Sequence, residues 1–171
     1  MAQRLLKGRA FLFGDDITTD HIAPGRYFHL RSNLTELARH VLEDARADFV
    51  EKLRPGDFVV AAGNFGLGSS REHAPRIIAM AGVGAVLAKS FARIFFRNAI
   101  NVGLPAITVD TTRIKEGDEL EVDLGRGIVR DLTQDFSLTF PALPGVMQTI
   151  LEDGGLVPHI KKHGGIVVPP R

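Results

Sequence analysis

Apolar and polar residues along this chain follow two different periods, which predict strands and helices in turn. Short continuous apolar runs predict buried strands at 10–13, 58–62, 84–88 and 104–109. Apolar residues at helical spacing predict helices at 34–41, near 49–53, from about 70 to Gly82, and at 91–102. Because strands and helices alternate in short succession after residue 58, we predict parallel strands joined by crossover helices.

Two polar residues are predicted to cap helices. Asn33, with Glu36 three residues later, fits a capping box. Ser90 is placed to cap the helix at 91–102. The apolar residues of that helix expected in the core are Ile94, Phe95, Ile100 and Val102.

One proline limits where the helix that ends near Gly82 can begin. Pro75 is tolerated only in the first turn of a helix, because proline lacks an N–H group and its ring collides with the preceding turn. We therefore expect this helix to start at Ser70 or Arg71, with Ser69 at its N-terminus.

The last third of the chain has a different pattern. Residues 119–124 alternate between polar and apolar, a glycine-rich turn follows at 125–127, and 128–130 completes a predicted β-hairpin. A short helix is expected at 146–151, and one more turn at 159–163. The prediction is a single α/β domain over residues 1–171, with its core at about 8–165 and a β-rich appendage at about 110–140.

Composition narrows the functional classes. The chain has 171 residues and a net charge of +1, with 44% hydrophobic residues and no basic run, which argues against nucleic acid as a partner. No apolar stretch approaches the roughly 20 residues that span a bilayer, so no membrane association is expected. The first residues lack the apolar core of a secretory signal, and the expected location is the cytoplasm.

Cysteine is absent, which limits the cofactors that this chain can hold. With no cysteine, the chain has no disulfide and no thiolate for zinc or an iron–sulfur cluster. The six histidines show no paired metal-binding spacing, so no metal site is predicted. Any cluster that the chemistry needs must be held by another chain.

The segment 66–73 is the strongest candidate for a functional site. Gly66 and Gly68 let the backbone turn sharply and approach a ligand. Free N–H groups at a helix start attract anions, and Arg71 can grip a carboxylate through two parallel hydrogen bonds. These residues predict a carboxylate site. The alternative is a capped helix, with Ser70 as the N-cap and Arg71 on a solvated face.

A second candidate lies in residues 14–33, a predicted long loop after the first strand. Asp20 could orient a catalytic group or bind a substrate hydroxyl, and His21 could titrate near neutral pH. Asp15 and Asp16 are better explained as local caps of backbone N–H groups.

The third candidate is the pair Arg93 and Arg97, four residues apart on one helix face. They could reach a partner surface or an anion. Paired surface arginines more often serve solubility or salt bridges, so both interpretations stay open.

Three motifs together resemble one known family. They are Thr19-Asp20-His21-Ile22, Ser69-Ser70-Arg71-Glu72-His73 and Lys89-Ser90-Phe91-Ala92-Arg93-Ile94. In this order they resemble the swivel domain of the aconitase family, in the form of the free-standing small subunits of its two-chain dehydratases. The resemblance covers roughly residues 8–165 and implies a swivelling β/β/α fold. At Leu67 this chain departs from small subunits that often have cysteine there.

The resemblance also implies roles for individual residues. Ser69 would be the general base that removes the proton next to a carboxylate, and Asp20, with Thr19, would be the active-site carboxylate of the upstream segment. Ser70 and Arg71 would bind the substrate carboxylate. A [4Fe–4S] cluster would be held by three cysteines of a large partner subunit, in a heterodimer or heterotetramer.

The substrate is less constrained than the family. Residues 27–32 lie where such small subunits carry their substrate-selecting segment. Phe28 and Leu30 could pack on an isopropyl group, whereas Arg31 could pair with an additional carboxylate.

The implied activity is a hydro-lyase that isomerises a hydroxy-dicarboxylate by dehydration and rehydration. We expect 3-isopropylmalate dehydratase of leucine biosynthesis first. The alternatives are homoaconitase of lysine biosynthesis and a 2,3-dimethylmalate-type dehydratase. A non-catalytic module that binds a di- or tricarboxylate is the alternative from another functional class.

Overall fold

Seven strands form one sheet in the computed structural model, which describes residues 4–170. In chain order they are β1 (Leu5–Leu12), β2 (Phe58–Val60), β3 (Ala85–Ala88), β4 (Ala106–Thr108), β5 (Glu119–Asp123), β6 (Ile128–Asp131) and β7 (Phe136–Thr139). Their order across the sheet is β4-β3-β2-β1-β5-β6-β7. Strands β1 to β4 pair in parallel, and β5 to β7 continue the sheet antiparallel from β1. The predicted α/β fold is confirmed.

Short helices connect and cover these strands. They are α1 (Thr19–Ile22), α2 (Leu34–Ala38), α3 (Phe49–Lys52), α4 (His73–Met80), α5 (Arg93–Asn101), α6 (Gly145–Glu152) and α7 (Leu156–His163), with a 3₁₀ helix at Gly25–Leu30. Among residues 4–170, none of these helices has the length and apolar composition of a membrane span.

The parallel strands point alternate side chains into two separate cores. Val59 of β2 packs in a core that includes Ile77 of α4. Its neighbour Phe58 packs in a second core with Leu120 and Val129 of the antiparallel strands. Because both faces are covered, these strands are apolar throughout, which is why their sequence shows a continuous run rather than alternation.

Helix α4 begins at His73, so its predicted start at residues 70–71 is wrong. Pro75 is the third residue of the helix and still lies in its first turn, as proline requires. Ser69 and Ser70 therefore lie in the loop that precedes the helix. The alternative of Ser70 as N-cap is excluded by the same observation.

Helix α5 begins at Arg93 rather than at residue 91, and Ser90 does not cap it. The Ser90 hydroxyl instead accepts a hydrogen bond from the backbone N–H of Asn64 at 2.7 Å. The Ser90 side chain is thus used in a tertiary hydrogen bond and is not available as the helix cap that the local sequence pattern predicted.

The N-cap predicted for α2 is confirmed, although the helix is shorter than expected. The Asn33 Oδ1 atom accepts a hydrogen bond from the Glu36 backbone N–H at 3.3 Å. The helix ends at Ala38, and the chain continues to residue 45 in turns.

Residues 14–33 are not an irregular loop, because they hold α1 and the 3₁₀ helix. A reciprocal capping box fixes α1: the Thr18 hydroxyl accepts from the His21 N–H at 3.1 Å, and His21 Nδ1 accepts from the Thr18 N–H at 2.9 Å. Capping boxes are recognised in sequence by glutamate or glutamine at the third residue of the helix. Here that residue is His21, so the sequence did not predict the helix.

The predicted hairpin is confirmed as β5 and β6, and two elements that follow it in the chain were missed or predicted too short. Strand β7 forms a sheet edge that the sequence analysis did not find. Helix α7 covers eight residues, where only a turn at 159–163 was expected.

Candidate active site

The three sequence motifs follow the carboxyl ends of three neighbouring parallel strands, β1, β2 and β3. Isolated backbone bridges tie the segments together, pairing Thr18 with Leu67 and Phe65 with Phe91. Ligands of parallel α/β sheets bind outside this edge. The fold therefore brings the candidate residues to one place, although they are far apart in the chain.

Two glycines allow the segment after β2 to lie against its neighbours. Gly66 has a φ of +84°, and a Cβ there would lie 2.3 Å from Cγ of Phe95. Gly68 has a φ of +114°, and a Cβ there would lie 3.0 Å from Oγ1 of Thr19. Only glycine accepts both this backbone conformation and this close approach.

Ser69, Arg71, Thr19 and Asp20 form one connected group. The Arg71 Nε–H donates to the Ser69 hydroxyl oxygen at 3.1 Å, and the Thr19 Oγ1 atom lies 3.4 Å from the same oxygen. The Arg71 Nη2 atom lies 2.7 Å from Asp20 Oδ1. A fourth contact, from Arg71 Nη1 to the Ala23 carbonyl at 3.1 Å, fixes the plane of the guanidinium.

The charge distribution around Ser69 favours a bound anion. The Arg71 side chain is 22% exposed, whereas that of Asp20 is 67% exposed and can move into water. Burial, together with the neighbouring charge of Arg71, lowers the pKa of His73, so that imidazole is neutral at neutral pH. Arg71 is thus the charged group that faces the Ser69 oxygen, and it can stabilise negative charge there.

A cleft of about 220 Å³ opens beside this group. One wall comes from the segment after β2 and from α1, with Thr19, Gly66, Gly68, Ser69, Ser70 and Arg71. The other wall comes from the start of α5, with Ala92, Arg93, Ile94, Phe95 and Asn98.

The sequence analysis identified Arg93 of the α5 wall as a candidate but missed Ile94 and Asn98. Ile94 was expected in the core, but it is 53% exposed at the edge of the cleft. Asn98 follows it by four residues and so lies on the same helix face, a spacing that would have linked the two. Of the other expected core residues, Phe95 and Ile100 are buried, and Val102 is half-buried against the core.

Comparison with known proteins gives close relatives over nearly the whole chain. A family model described as the aconitase C-terminal domain matches residues 26–112. The 3-isopropylmalate dehydratase small subunit 2 of Archaeoglobus fulgidus is 63% identical over 161 residues, which cover 94% of this chain and 98% of that protein. The small subunit 1 of Thermotoga maritima is 58% identical over 161 residues, covering 94% of this chain and 97% of that protein.

This chain belongs to the aconitase family. The crystal structure of 3-isopropylmalate dehydratase from Methanocaldococcus jannaschii matches it with a TM-score of 0.90 at 44% identity, covering 94% of this chain and 96% of that chain. Both the resemblance and the fold class predicted from sequence are confirmed.

Within this aconitase-family fold, His21 has a structural role that the sequence did not reveal. Its Nδ1 atom accepts the Thr18 N–H, so the neutral ring carries its proton on Nε2. His21 therefore fixes the start of α1, which in turn carries Thr19 and Asp20 to the site.

Arg31 does not line the cleft. Its Nη1 atom donates to the Phe28 carbonyl at 3.2 Å, and its guanidinium lies 4.4 Å from the centre of the Phe28 ring. The side chain is exposed on the segment after the 3₁₀ helix. Its role toward a substrate is therefore a proposal about the assembled enzyme.

One cluster of possible metal ligands lies away from the cleft, among Asp153, His159 and His163. The His159 Nε2 atom accepts the Val167 backbone N–H at 3.1 Å, so its proton is on Nδ1 and is donated to Asp153 at 2.8 Å. Contacts with Lys162 and the two histidines hold the pKa of Asp153 well below its usual range. This cluster is satisfied as a hydrogen-bonded network that anchors the C-terminal segment.

A larger cavity, of about 570 Å³, lies between α6, the turn after β5 and the C-terminal segment. Its walls are mostly apolar, with Arg4 and Arg126 at the edge. Arg4 already donates to the Leu151 carbonyl at 2.7 Å. The described residues that line this cavity include no serine or threonine hydroxyl held by an arginine, as Ser69 is, so the smaller cleft is the candidate active site.

Proposed function

We propose that this chain is the small subunit of a two-chain 3-isopropylmalate dehydratase that serves leucine biosynthesis in the cytoplasm. The observation that carries the proposal is the Ser69 hydroxyl held at 3.1 Å by Arg71 Nε, beside a cleft of about 220 Å³. The small subunits at 58–63% identity support the same assignment.

In this proposal, the substrate carboxylate binds Arg71 and replaces the contact to Asp20. Asp20 is suited to release, because its side chain is two-thirds exposed and α1 is held by other contacts. The guanidinium keeps its orientation through the Ala23 carbonyl while its partner changes. Ser70, exposed on the same wall, can donate a second hydrogen bond to the carboxylate.

Ser69 then acts on the carbon next to that carboxylate. A serine hydroxyl is a weak base, so Ser69 must react as the alkoxide, which accepts the proton as the carbon–carbon double bond forms. The Nε–H of Arg71 directs a positive charge toward this oxygen, and the hydroxyl of Thr19 lies beside it. Both contacts stabilise the alkoxide. In the reverse addition, the same hydroxyl returns the proton.

Loss of the substrate hydroxyl needs a Lewis acid, and an iron–sulfur cluster could supply one. None of its 171 residues is cysteine, so these residues do not fit an iron–sulfur cluster as ligands. We place the [4Fe–4S] cluster on a large partner subunit, where it would act as a Lewis acid toward the substrate oxygens. The small subunit contributes the base and the carboxylate site, in a heterodimer or heterotetramer.

In this proposal, Arg31 binds any further substrate carboxylate in the assembled enzyme. Its exposed guanidinium is already oriented by the Phe28 ring and carbonyl. If it contacts substrate, the enzyme could also act on homoaconitate, and dimethylmalate remains the third candidate.

Reconstitution tests the proposal. The chain is combined with the large subunit from the same genome, and hydration of isopropylmaleate, homoaconitate and dimethylmaleate is followed by the loss of their absorbance. We expect turnover only in the pair, with the highest kcat/KM for isopropylmaleate. A chain that binds a dicarboxylate tightly alone, in a pair without turnover, would instead be a carboxylate-binding module.

A further inference from the structure

The start of α5 presents an exposed, unpaired surface at the edge of the candidate site. Arg93, Ile94 and Arg97, here named the α5 rim, lie at the first, second and fifth positions of α5 (Arg93–Asn101). Ile94 is 53% exposed, and both arginines are exposed. Residues three and four apart share a helix face, so the three side chains form one continuous patch.

The two arginines of the rim are not paired with carboxylates, unlike several other arginines among the described residues. Arg26 pairs with Glu43 and Asp44, and Arg46 pairs with Asp48 and Glu116. Arg93 and Arg97 have no carboxylate partner within the described residues 4–170. A cationic surface without its own counter-ions fits a partner that supplies carboxylates.

Ile94 also differs from the other exposed apolar side chains. Phe28, which is 50% exposed, is covered on one ring face by the Arg31 guanidinium. Leu132 and Val168 are exposed but do not border the cleft. Ile94 is the large exposed aliphatic side chain that lines the cleft itself, among the residues described.

We propose that the α5 rim docks the large subunit that carries the cluster, with Ile94 as the apolar anchor and Arg93 and Arg97 paired with carboxylates of that subunit. This rests on the proposed function. This chain has no cysteine to hold the proposed cluster, so the subunit that carries the cluster must approach the substrate in the cleft and cover the cleft's edge. Ile94 is part of that edge.

A second copy of this chain is a poorer occupant. Two copies meeting symmetrically through the rim would bring four guanidinium groups together without a carboxylate from either rim. Like charges across an interface oppose association. A second copy, which has no cysteine either, would bring no cluster to the cleft.

The test measures binding of the large subunit by the full-length chain, independently of turnover. Ile94→Asp should weaken the affinity about 30-fold or more, as expected for an apolar anchor replaced by a charge. The substitution should not unfold the chain, because the side chain is half exposed and an acidic residue at the second position of a helix is favourable. Leu132→Asp, at a residue 52% exposed away from the cleft, is the matched control and should bind as wild type.

Charge reversal supplies the second arm. Arg97→Glu should weaken binding about 10-fold at low salt and much less at high salt, because salt screens exposed charges. Lys161→Glu, an exposed cation on α7, should change neither value.

The outcomes separate this inference from the proposed function. Wild-type affinity for Ile94→Asp and Arg97→Glu, in a system whose wild-type pair is active, would overturn the docking surface and leave the function intact. A change in self-association of this chain, with large-subunit affinity unchanged, would assign the rim to a second copy and also overturn it. If the wild-type chains do not form an active pair, the proposed function fails and this inference fails with it.

Discussion

Replacing Arg71 by lysine tests the chemistry of the site, because lysine keeps the positive charge but lacks the planar guanidinium that donates in several directions at once. The guanidinium contacts Ser69 Oγ at 3.1 Å, the Ala23 carbonyl at 3.1 Å and Asp20 Oδ1 at 2.7 Å. A lysine ammonium is a single point of charge and cannot hold these three directions at once. At least the contact to Ser69 or the two-pronged contact to substrate must therefore be lost.

The size of the effect follows from these contacts. Loss of one donor to a developing oxyanion typically lowers kcat by about 10²–10³-fold. Loss of one charge-assisted hydrogen bond to the substrate carboxylate costs about 1.5–3 kcal/mol, which corresponds to an affinity change of about 10–150-fold. We expect Arg71→Lys to lower kcat and raise KM together, since the same guanidinium serves both groups.

The assay is steady-state kinetics of the reconstituted pair, with thermal unfolding of the isolated variant as a control for folding. Arg76→Lys, at an exposed arginine in the middle of α4, is the matched substitution and should leave both constants unchanged. Values of kcat and KM within about threefold of wild type for Arg71→Lys would refute the reasoning. Arg71 would then be only a surface residue before α4.

Three further predictions follow from individual residues. Gly68→Ala should lower both kcat and Tm, because its Cβ would press on Thr19 Oγ1 and because a φ of +114° is strained for alanine; an unchanged kcat would show that the loop relaxes without moving Thr19. Arg31→Val should raise the kcat/KM ratio of isopropylmalate to homoaconitate, and an unchanged ratio would place selectivity on the large subunit. Burial and the hydrogen bond with Asp118 raise the pKa of Asp131. Protonated Asp131 therefore stabilises the folded state fully at pH values below the pKa of this carboxyl in the unfolded chain. This stabilisation is lost as the pH rises through the pKa in the folded protein. Asp131→Asn should accordingly raise Tm at pH 7 and not at pH 3. An equal Tm difference at both pH values would contradict this.

The strands and the site motifs could be predicted from sequence because their signals are local. A strand buried on both faces has to be apolar at every position, so the runs at β2 and β3 stand out. The glycines before Ser69 stand out for a related reason, since positive φ and close packing leave no other choice there.

Helix starts were predicted less well, because tertiary contacts compete for the capping side chains. Ser90 binds the backbone of Asn64, a residue from another segment, and so leaves α5 without a side-chain cap. Helix α1 was hidden because its capping box uses His21 in place of an acidic residue or an amide.

The contacts between residues of the site could not be predicted from any local sequence pattern. Asp20 and Arg71 belong to different motifs, and only the folded sheet edge brings them to 2.7 Å. The exposure of Ile94 was missed for a similar reason, because an apolar helix position looks the same whether it faces the core or a partner.

The central claim is that Ser69 removes the proton from the substrate, and Ser69→Ala in the reconstituted pair tests it most directly. Alanine keeps the loop and the Arg71 site but removes the oxygen that accepts the proton. The account predicts that kcat falls about 10²–10⁴-fold, that substrate recovered from deuterated water carries no deuterium at the reacting carbon, and that KM stays close to wild type. A variant with normal kcat and raised KM, or one that still exchanges that hydrogen at the wild-type rate, would contradict it.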